Sequence, residues 1–224
     1  MGMFSEIWPA ISLTLQLAFF STLILMIMSV PLAWWLTVST RRFKPLIEAL
    51  VTLPLVLPPT VIGFYLLILM SPNAFLGGAW MSITGETLAF SFAGLLLASV
   101  IYSLPFAIQP LRSAFETIGT SHREVAATLG ASPMQAFFSV VLPLSRRGFL
   151  SAAVLSFAHT LGEFGIVLMV GGNIPGRTRV ISIEIFNRVE TLDYEVAHLL
   201  SAGLLIVSFL ALTVTYFLGR ERRR

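Results

Sequence analysis

The chain has 224 residues, of which 56% are hydrophobic and only 11% charged, with a mean hydropathy of +0.89 and a formal net charge of +3. An ordinary soluble domain carries about a quarter charged residues, so this composition excludes that class and indicates an all-α integral membrane protein. The absence of cysteine excludes disulfides, thiolate nucleophiles and sulfur-ligated metals. Because the three histidines lie far apart, no metal site is predicted.

The first predicted span covers residues 11–38, which contain no charged side chain and are long enough to cross a bilayer. Pro31 is expected to kink this helix. Arg41, Arg42 and Lys44 follow directly. Since basic residues beside a span mark the cytoplasmic side, the N-terminus is predicted to lie outside the cell.

The second predicted span, residues 49–70, contains three prolines in six positions, Pro54, Pro58 and Pro59. This part cannot be regular α-helix, because proline removes an amide donor and clashes with the preceding turn. Backbone that is not helical is tolerated at membrane depth only where protein or a water-filled cavity satisfies it. We therefore predict that the prolines and Thr60 line a transport pathway. A structural kink packed against a neighbour is the alternative.

Residues 71–78, which include Ser71-Pro72-Asn73 and Gly77-Gly78, predict a loop after the second span. The third predicted span, residues 88–110, leads into a polar loop, residues 111–147. We call residues 116–147 the elbow, because they predict two short helices separated by a glycine. Ser121 followed three residues later by Glu124 is a capping box, which begins the first helix, and Gly130 ends it.

The second elbow helix is predicted to begin at Ser132 and Pro133, since serine caps a helix and proline fits its first turn. It is expected to run up to Pro143. The small residues Ala126 and Ala127 leave room for the backbone of another protein. The elbow is therefore a candidate docking surface, and a plain connecting loop is the alternative.

The fourth predicted span, residues 148–170, is interrupted by His159 and Glu163. A carboxylate inside a span is costly and faces a cavity or a partner. Gly162 and Gly165 on either side would permit close helix approach. Three interpretations stay open for Glu163: a structural acid hydrogen-bonded to a neighbouring helix, a gate or hinge element, or a substrate ligand. The last would require a protonated carboxyl group if the substrate is an anion.

A polar segment, residues 171–195, carries Arg177 and Arg179 and leads to the fifth predicted span, residues 197–218. With five spans and the N-terminus outside, the C-terminus lies inside. Eleven of the 14 basic residues then fall on the inner side, as the positive-inside rule requires. Without a visible repeat or linker, residues 1–224 are expected to form a single transmembrane domain.

The elbow resembles the EAA loop of permease subunits of bacterial ABC importers, whose pattern is Glu-Ala-Ala-x3-Gly-x9-Ile-x-Leu-Pro. The chain departs from it conservatively at Val125 and Val140. The resemblance implies a type I ABC importer permease fold and a cytoplasmic loop that couples to the ATP-hydrolysing subunit. The matching and neighbouring residues to which it assigns this coupling are Glu124, Ala126, Ala127, Gly130, Ser132, Pro133, Leu142 and Pro143.

Three further stretches make the resemblance more specific: residues 53–63 (LPLVLPPTVIG), 161–165 (LGEFG) and 173–178 (NIPGRT). Together they look like the permease of bacterial molybdate and tungstate ABC importers. Val56, Pro59 and Phe164 favour this family over the similar sulfate permeases, which are the nearest alternative.

The resemblance implies a multi-pass protein of the bacterial inner membrane that works as a homodimer in the lipid bilayer. Its expected partners are a dimer of cytoplasmic ABC ATPases and an extracytoplasmic molybdate-binding protein, to which Arg177 and Arg179 would dock; ordinary loop solvation is the alternative for both arginines. No nucleic-acid partner is expected.

The chain holds a single lysine, Lys44, which lies outside any phosphate-binding loop. We therefore expect a transport subunit that is not itself an enzyme and binds no cofactor, with ATP and magnesium on the partner. An ion-coupled secondary transporter would also show broken helices and a membrane acid, but would not need the elbow. A membrane-embedded enzyme is less well supported, since no catalytic constellation is apparent.

Overall fold

The computed structural model describes residues 2–119 and 121–220, and this part of the chain contains helices and turns but no strand. The predicted all-α class is therefore confirmed. The first half comprises α1 (Gly2–Val38), α2 (Lys44–Thr52), α3 (Pro59–Leu69), α4 (Phe75–Thr84) and α5 (Phe92–Ile118). The second half comprises α6 (Ser121–Thr128), α7 (Pro133–Ala136), α8 (Leu142–Leu144), α9 (Arg146–Gly162), α10 (Gly165–Gly171), α11 (Ile181–Glu190) and α12 (Tyr194–Arg220).

Three helices are each long and apolar enough to cross a membrane, namely α1, α5 and α12. Two bent helix pairs would raise the number to five if each pair counts as one span. The first pair joins α2 and the 3₁₀ turn Leu53–Leu55 to α3 at 108°, and the second joins residues 133–144 to α9 at 69°. The fold is thus that of a multi-pass membrane protein, while the span count of five stays a prediction.

The proline-rich stretch departs from regular helix where the sequence predicts it. Residues 53–55 form a single 3₁₀ turn, and Pro58 is extended with φ −54° and ψ 137°. Pro59 then opens α3, where a missing amide hydrogen costs nothing. The predicted second span is consequently two helices that meet at a sharp bend.

Helix α5 does not end near Pro110, as the sequence suggests, but continues to Ile118. Its last two turns bury Leu111, Phe115 and Ile118 in the core. Burial of these side chains offsets the amide hydrogen bond that each internal proline removes. The third predicted span therefore continues directly into the elbow.

The segment after residue 70 is also more ordered than predicted, because Gly77 and Gly78 lie within α4 rather than in a loop. A Cβ atom at Gly77 would lie 2.2 Å from the carbonyl oxygens of Met70 and Ser71. Glycine is therefore required for α4 to fold back against the end of α3.

Two main clusters form the core. One joins α1, α3, α5 and α10 through residues such as Leu17, Leu66, Leu95 and Ile166. The other joins the C-terminal ends of α1 and α5 to the elbow through Leu36, Ile108, Phe115, Phe137 and Val141. The elbow is thus built on the C-terminal ends of two long core helices, α1 and α5, and α10 packs between α3 and α5.

Candidate functional site

The first half of the elbow ends in a Schellman motif at Gly130. The amide of Ala131 donates to the carbonyl of Ala126 at 3.0 Å, and the amide of Gly130 donates to Ala127 at 2.9 Å. Gly130 has φ +83°, the left-handed conformation that this motif requires and glycine adopts without strain. The predicted helix stop at Gly130 is confirmed.

The second half of the elbow begins with the predicted cap at Ser132. The Ser132 hydroxyl accepts from the amide of Gln135, and the Gln135 side chain accepts from the amide of Ser132 at 2.8 Å, which completes a capping box. Pro133 occupies the first helical turn. This helix does not stop at Pro143: residues 137–141 form a π-helical turn, and Pro143 lies in the first turn of α8, where proline is tolerated.

The elbow presents apolar side chains to its surroundings. Leu129 is 83% exposed and Met134 67%, while Ala127, Gly130 and Pro133 are also exposed and Ala126 is buried. Next to them, a cavity of about 390 Å³ is lined by Trp34, Val38, Glu124, Ala127, Ala131, Pro133 and Ala136. The residues predicted to couple to a partner are therefore gathered on one structural unit.

Part of the elbow lies outside the described residues. Helix α6 begins at Ser121, but the Ser121 side chain is not among those described, so its predicted capping box with Glu124 stays a prediction. Arg222, Arg223 and Arg224, which count toward the predicted inner charge, also lie outside the described residues.

The carboxylate of Glu163 lies in a buried polar cluster between α5 and α9, formed by Ser99, Ser103, His159, Thr160 and Glu163. Its side chain is only 1% exposed. The hydroxyls of Ser99 and Ser103 each donate to one carboxylate oxygen at 2.6 Å. Both oxygens therefore have a partner, as a buried carboxylate requires.

His159 completes this polar cluster. Its Nδ1 lies 2.9 Å from Ser103 Oγ and 3.4 Å from Glu163 Oε1. Since the Ser103 proton is donated to Glu163, we assign a proton to Nδ1 of His159, which donates to Ser103. The ring stacks on Phe106 with centroids 3.8 Å apart.

The polar cluster sits at a break in the fourth predicted span. Helix α9 ends at Gly162, Glu163 is extended with φ −62° and ψ 130°, and α10 begins at Gly165. The hydroxyl of Ser182 on α11 donates to the backbone carbonyl of Glu163. Glu163 thus joins α5, α9, α10 and α11 at one point.

The two glycines beside Glu163 have different surroundings. A Cβ atom at Gly165 would lie 3.0 Å from Pro59 Cβ, whereas one at Gly162 would meet nothing within 4 Å. Gly165 therefore brings the break between α9 and α10 against the start of α3, next to the exposed Pro58 and Thr60. Pro54 is buried. The predicted pathway residues at the start of α3 and at the α9–α10 break lie close together, with Gly162 at their edge, whereas Pro54 lies in the 3₁₀ turn that packs against α5.

Arg177 and Arg179 differ in their partners. Arg177 is exposed and pairs with Glu86 at 3.0 Å. Arg179 donates to Asn173 Oδ1 at 2.6 Å and pairs with the buried Glu184 at 3.3 Å. Arg179 therefore holds the loop together, and Arg177 is the more available of the two.

Arg188 is a hub that the sequence did not single out. It contacts Glu184 at 2.7 Å, Asp193 at 2.8 Å and Glu6 at 3.3 Å. These hydrogen bonds, above all the one to Glu184, raise the pKa of Arg188 above its ordinary value. The hub ties the start of α1 to α11 and to the turn before α12.

Sequence reasoning also missed Ser99, Ser103 and Ser182. The available signal was the pair Ser99 and Ser103, four residues apart in an apolar helix and hence on one face. Among the described residues, no group of three or more His, Asp or Glu side chains is placed so that it could hold a metal ion.

Solved structures with the same fold are ABC transporters. One is a bacterial ABC transporter involved in the import of the polysaccharide alginate, with a TM-score of 0.75 and 18% identity over 98% of this chain and 80% of that chain. Another is the inward-facing MetNI methionine ABC transporter, with a TM-score of 0.72 and 18% identity over 97% of this chain and 98% of that chain. The chain thus shares its fold with the matching chains of these ABC transporters.

Sequence comparison identifies the family. Residues 29–221 match the model of the binding-protein-dependent transport system inner membrane component. The molybdenum transport system permease protein ModB of Azotobacter vinelandii is 53% identical over 92% of both chains. ModB of Escherichia coli K12 is 36% identical over 82% of this chain and 80% of that chain. The sulfate transport system permease protein CysT of E. coli K12 is 33% identical over 92% of this chain and 74% of that chain.

The chain therefore belongs to the inner membrane components of binding-protein-dependent transport systems. It is a multi-pass inner-membrane transport component.

Proposed function

We propose that this protein is the membrane-spanning subunit of an ATP-driven importer that moves molybdate, or the similar tungstate, into the cytoplasm by alternating access. The observation that carries the proposal is the 53% identity to a molybdenum transport permease over 92% of both chains. The weaker likeness to a sulfate permease, at 33%, makes sulfate or thiosulfate the second candidate.

In the proposed assembly, two copies of the chain surround the pathway. Each crosses the inner membrane five times as a single domain, with the N-terminus outside and the C-terminus inside. A dimer of ABC ATPases binds and hydrolyses ATP with magnesium below, and an extracytoplasmic molybdate-binding protein delivers the anion from outside. The basic residues after the C-terminal end of α1 (Arg41 and Arg42) and at the N-terminal end of α9 (Arg146 and Arg147) support this sidedness, because they collect at the elbow end.

The elbow is the proposed attachment point of the ATPase. Its apolar side chains Leu129 and Met134 are exposed, while Phe137 and Val141 anchor it to α1 and α5. Because the Schellman motif and the capping box keep its helices rigid, a displacement of the elbow would be passed to the spans. Closure of the ATPase would thereby switch the pathway between the two sides.

The break around Glu163 is the proposed pivot of that movement. Each oxygen of the carboxylate accepts a hydrogen bond, one from Ser99 and one from Ser103, and a carboxylate at this position would repel an anionic substrate. Glu163 therefore acts by fastening α9 and α10 to α5 rather than by binding substrate. The anion would instead be held weakly near Thr60 and the two prolines at the start of α3, Pro58 and Pro59, and weak binding favours rapid release inward.

Substrate identity is tested by reconstituting permease, ATPase and molybdate-binding protein in liposomes. ATP hydrolysis is measured with molybdate, tungstate or sulfate outside. Stimulation by molybdate and tungstate at concentrations where sulfate has no effect supports the proposal. Stimulation by sulfate alone would establish the second candidate, and proton-driven uptake by the permease without ATPase would overturn the ABC assignment.

Sidedness is tested with the variant Ser132→Cys, which carries the only cysteine of the chain. Ser132 is exposed at the start of α7. A membrane-impermeant maleimide should label it in inside-out vesicles but not in intact cells. Labelling from outside intact cells would place the elbow on the wrong side and remove the proposed coupling.

A further inference from the structure

Arg41 and Arg42 are exposed cations in the turn between α1 and α2. Neither guanidinium contacts a carboxylate among the described residues, whereas nearby Lys44 and Arg112 both pair with Glu48. Two neighbouring arginines can bind a phosphate group, because the paired N–H donors of each guanidinium match the spacing of two phosphate oxygens.

Aromatic side chains surround the same turn. Trp35 stacks on Phe43 with centroids 5.9 Å apart and planes inclined by 21°. The guanidinium of Arg41 lies 5.7 Å from the centre of the Phe43 ring. Tryptophan in particular is enriched at the level of the lipid head groups, because one end of its ring system is apolar and the other polar.

Helix α2 continues the surface with an uncovered apolar face. Leu46 and Leu50 are 73% and 67% exposed, and Leu53 follows at the same side with 43%. Its opposite side packs Ile47 and Val51 into the core beside α1 and α5. Helix α2 and the 3₁₀ turn that follows it meet α3 at 108°, and only the two parts together are long enough for one bent span. Helix α2 is therefore the start of that span, beside the basic turn and at the level of the lipid head groups.

We propose that residues 35–53 form a binding site for one anionic phospholipid. Arg41 and Arg42 hold its phosphate-bearing head group, Trp35 and Phe43 flank that group, and an acyl chain lies along the leucine face of α2. Charge complementarity favours this occupant over a second copy of the chain. Glu48, the one carboxylate of α2, is already paired with Arg112 and Lys44, so a second copy offers no free α2 carboxylate to the two arginines.

The inference goes beyond the proposed function, because it needs a membrane but no particular substrate. A tetrahedral oxyanion on two arginines is chemistry that inorganic phosphate shares. The exposed leucine face favours a lipid, because a lipid has an acyl chain that can cover these side chains and inorganic phosphate has none.

The experiment uses the intact transporter in nanodiscs that contain phosphatidylglycerol and phosphatidylcholine. Native mass spectrometry counts the phosphatidylglycerol molecules that stay bound. Each basic side chain near an anionic surface strengthens binding about fivefold, so Arg41→Gln/Arg42→Gln should weaken retention about 25-fold. Arg41→Lys/Arg42→Lys keeps the charge without the fork and should retain an intermediate amount.

The matched control is Arg146→Gln/Arg147→Gln, which removes the same charge from another arginine pair beside a membrane helix. It should leave the bound phosphatidylglycerol unchanged. An equal loss in both pairs would overturn the proposal, because it would show diffuse attraction instead of a site.

The leucine face is tested separately with Leu50→Gln. Weaker retention of phosphatidylglycerol with unchanged subunit stoichiometry supports the lipid site. Dissociation of the permease copies would show that this face is a subunit interface. Displacement of phosphatidylglycerol by excess inorganic phosphate would show that the arginines bind the free anion, and either result would overturn the proposal.

Discussion

The hydroxyl of Ser99 donates a 2.6 Å hydrogen bond to the carboxylate of Glu163, 64 residues further along the chain. Ser99 lies on the uninterrupted helix α5, and Glu163 lies where α9 ends. The bond therefore attaches a break in one membrane helix to a continuous neighbour. The bond thus fixes the position of the break against α5.

Replacement of Glu163 distinguishes a structural role, in which its hydrogen bonds hold α9 against α5, from a role that needs its charge. Glu163→Ala removes the acceptors of Ser99 and Ser103 and should destabilise the protein by about 2–3 kcal/mol. Glu163→Gln keeps one acceptor and gains a donor for the second hydroxyl, so it should be nearly as stable as the native protein. Thermal unfolding in detergent and uptake in liposomes measure both effects.

Equal instability of the two Glu163 variants would contradict fastening by hydrogen bonds. A Glu163→Gln variant that assembles and unfolds normally but no longer transports would instead show that the charge itself operates a gate.

Gly130 should be intolerant of branched side chains because of its backbone conformation rather than its surroundings. With φ +83° and no atom within 4 Å of the position that a Cβ would take, the cost is one of backbone strain, about 1–2 kcal/mol. Gly130→Val should therefore reduce the ATPase that co-purifies with the permease about tenfold. Gly130→Asn is the control, since asparagine tolerates the left-handed region. If Gly130→Val co-purifies with a normal amount of ATPase and takes up substrate normally, the elbow is not the docking site of the ATPase.

The two glycines beside Glu163 should respond differently to valine. Gly165→Val places atoms against Pro59, whose Cβ lies 3.0 Å from a Cβ at that position, and should cost about 1–3 kcal/mol of stability. Gly162→Val enters open space and should have a much smaller effect. The measurement is the unfolding temperature together with uptake rate. The same loss in both variants would mean that helix propensity, and not the contact with Pro59, decides the outcome.

Replacing Arg188 should affect the stability of the loop, whereas replacing Arg177 should affect only the docking of the binding protein. Arg188→Gln leaves the 5%-exposed Glu184 side chain with Arg179 alone and should destabilise the protein by about 2 kcal/mol or more. Arg177→Gln breaks an exposed pair and should leave the unfolding temperature unchanged.

The Arg177→Gln variant should, however, weaken the stimulation of ATP hydrolysis by the binding protein, most visibly at low salt, because exposed charges act over a distance that salt shortens. If the binding protein still stimulates ATP hydrolysis fully at low salt, Arg177 is an ordinary solvated loop residue and does not dock the receptor.

The features that the sequence predicts well are local. The cap at Ser132 and the glycine stop at Gly130 depend on hydrogen bonds between residues within five positions of each other, so their spacing is visible in the chain. The irregular backbone around Pro58 is likewise local, since proline alters the turn that contains it. In each case the prediction needs no knowledge of what packs nearby.

The errors concern helices whose extent depends on packing. Pro110 looked like a stop for α5, but the apolar residues beyond it are buried against α1 and the elbow. Gly77 looked like a loop residue, yet it permits the close approach of α4 to the carbonyl of Met70. In an exposed turn, proline or glycine usually ends a helix. In a packed interface, the same residue can lie inside a helix, because the surrounding contacts offset its cost.

The sequence by itself determined the membrane class, the helical content and the position of the elbow, because hydropathy and capping are properties of short stretches. Only the tertiary structure decided that Glu163 is held by Ser99 and Ser103, that Arg188 and not Arg177 is the hub of the loop, and that Arg41 and Arg42 meet no carboxylate among the described residues. These are choices among partners distant in the chain. They depend on which faces of the helices meet, and that is set by the fit of many apolar side chains together.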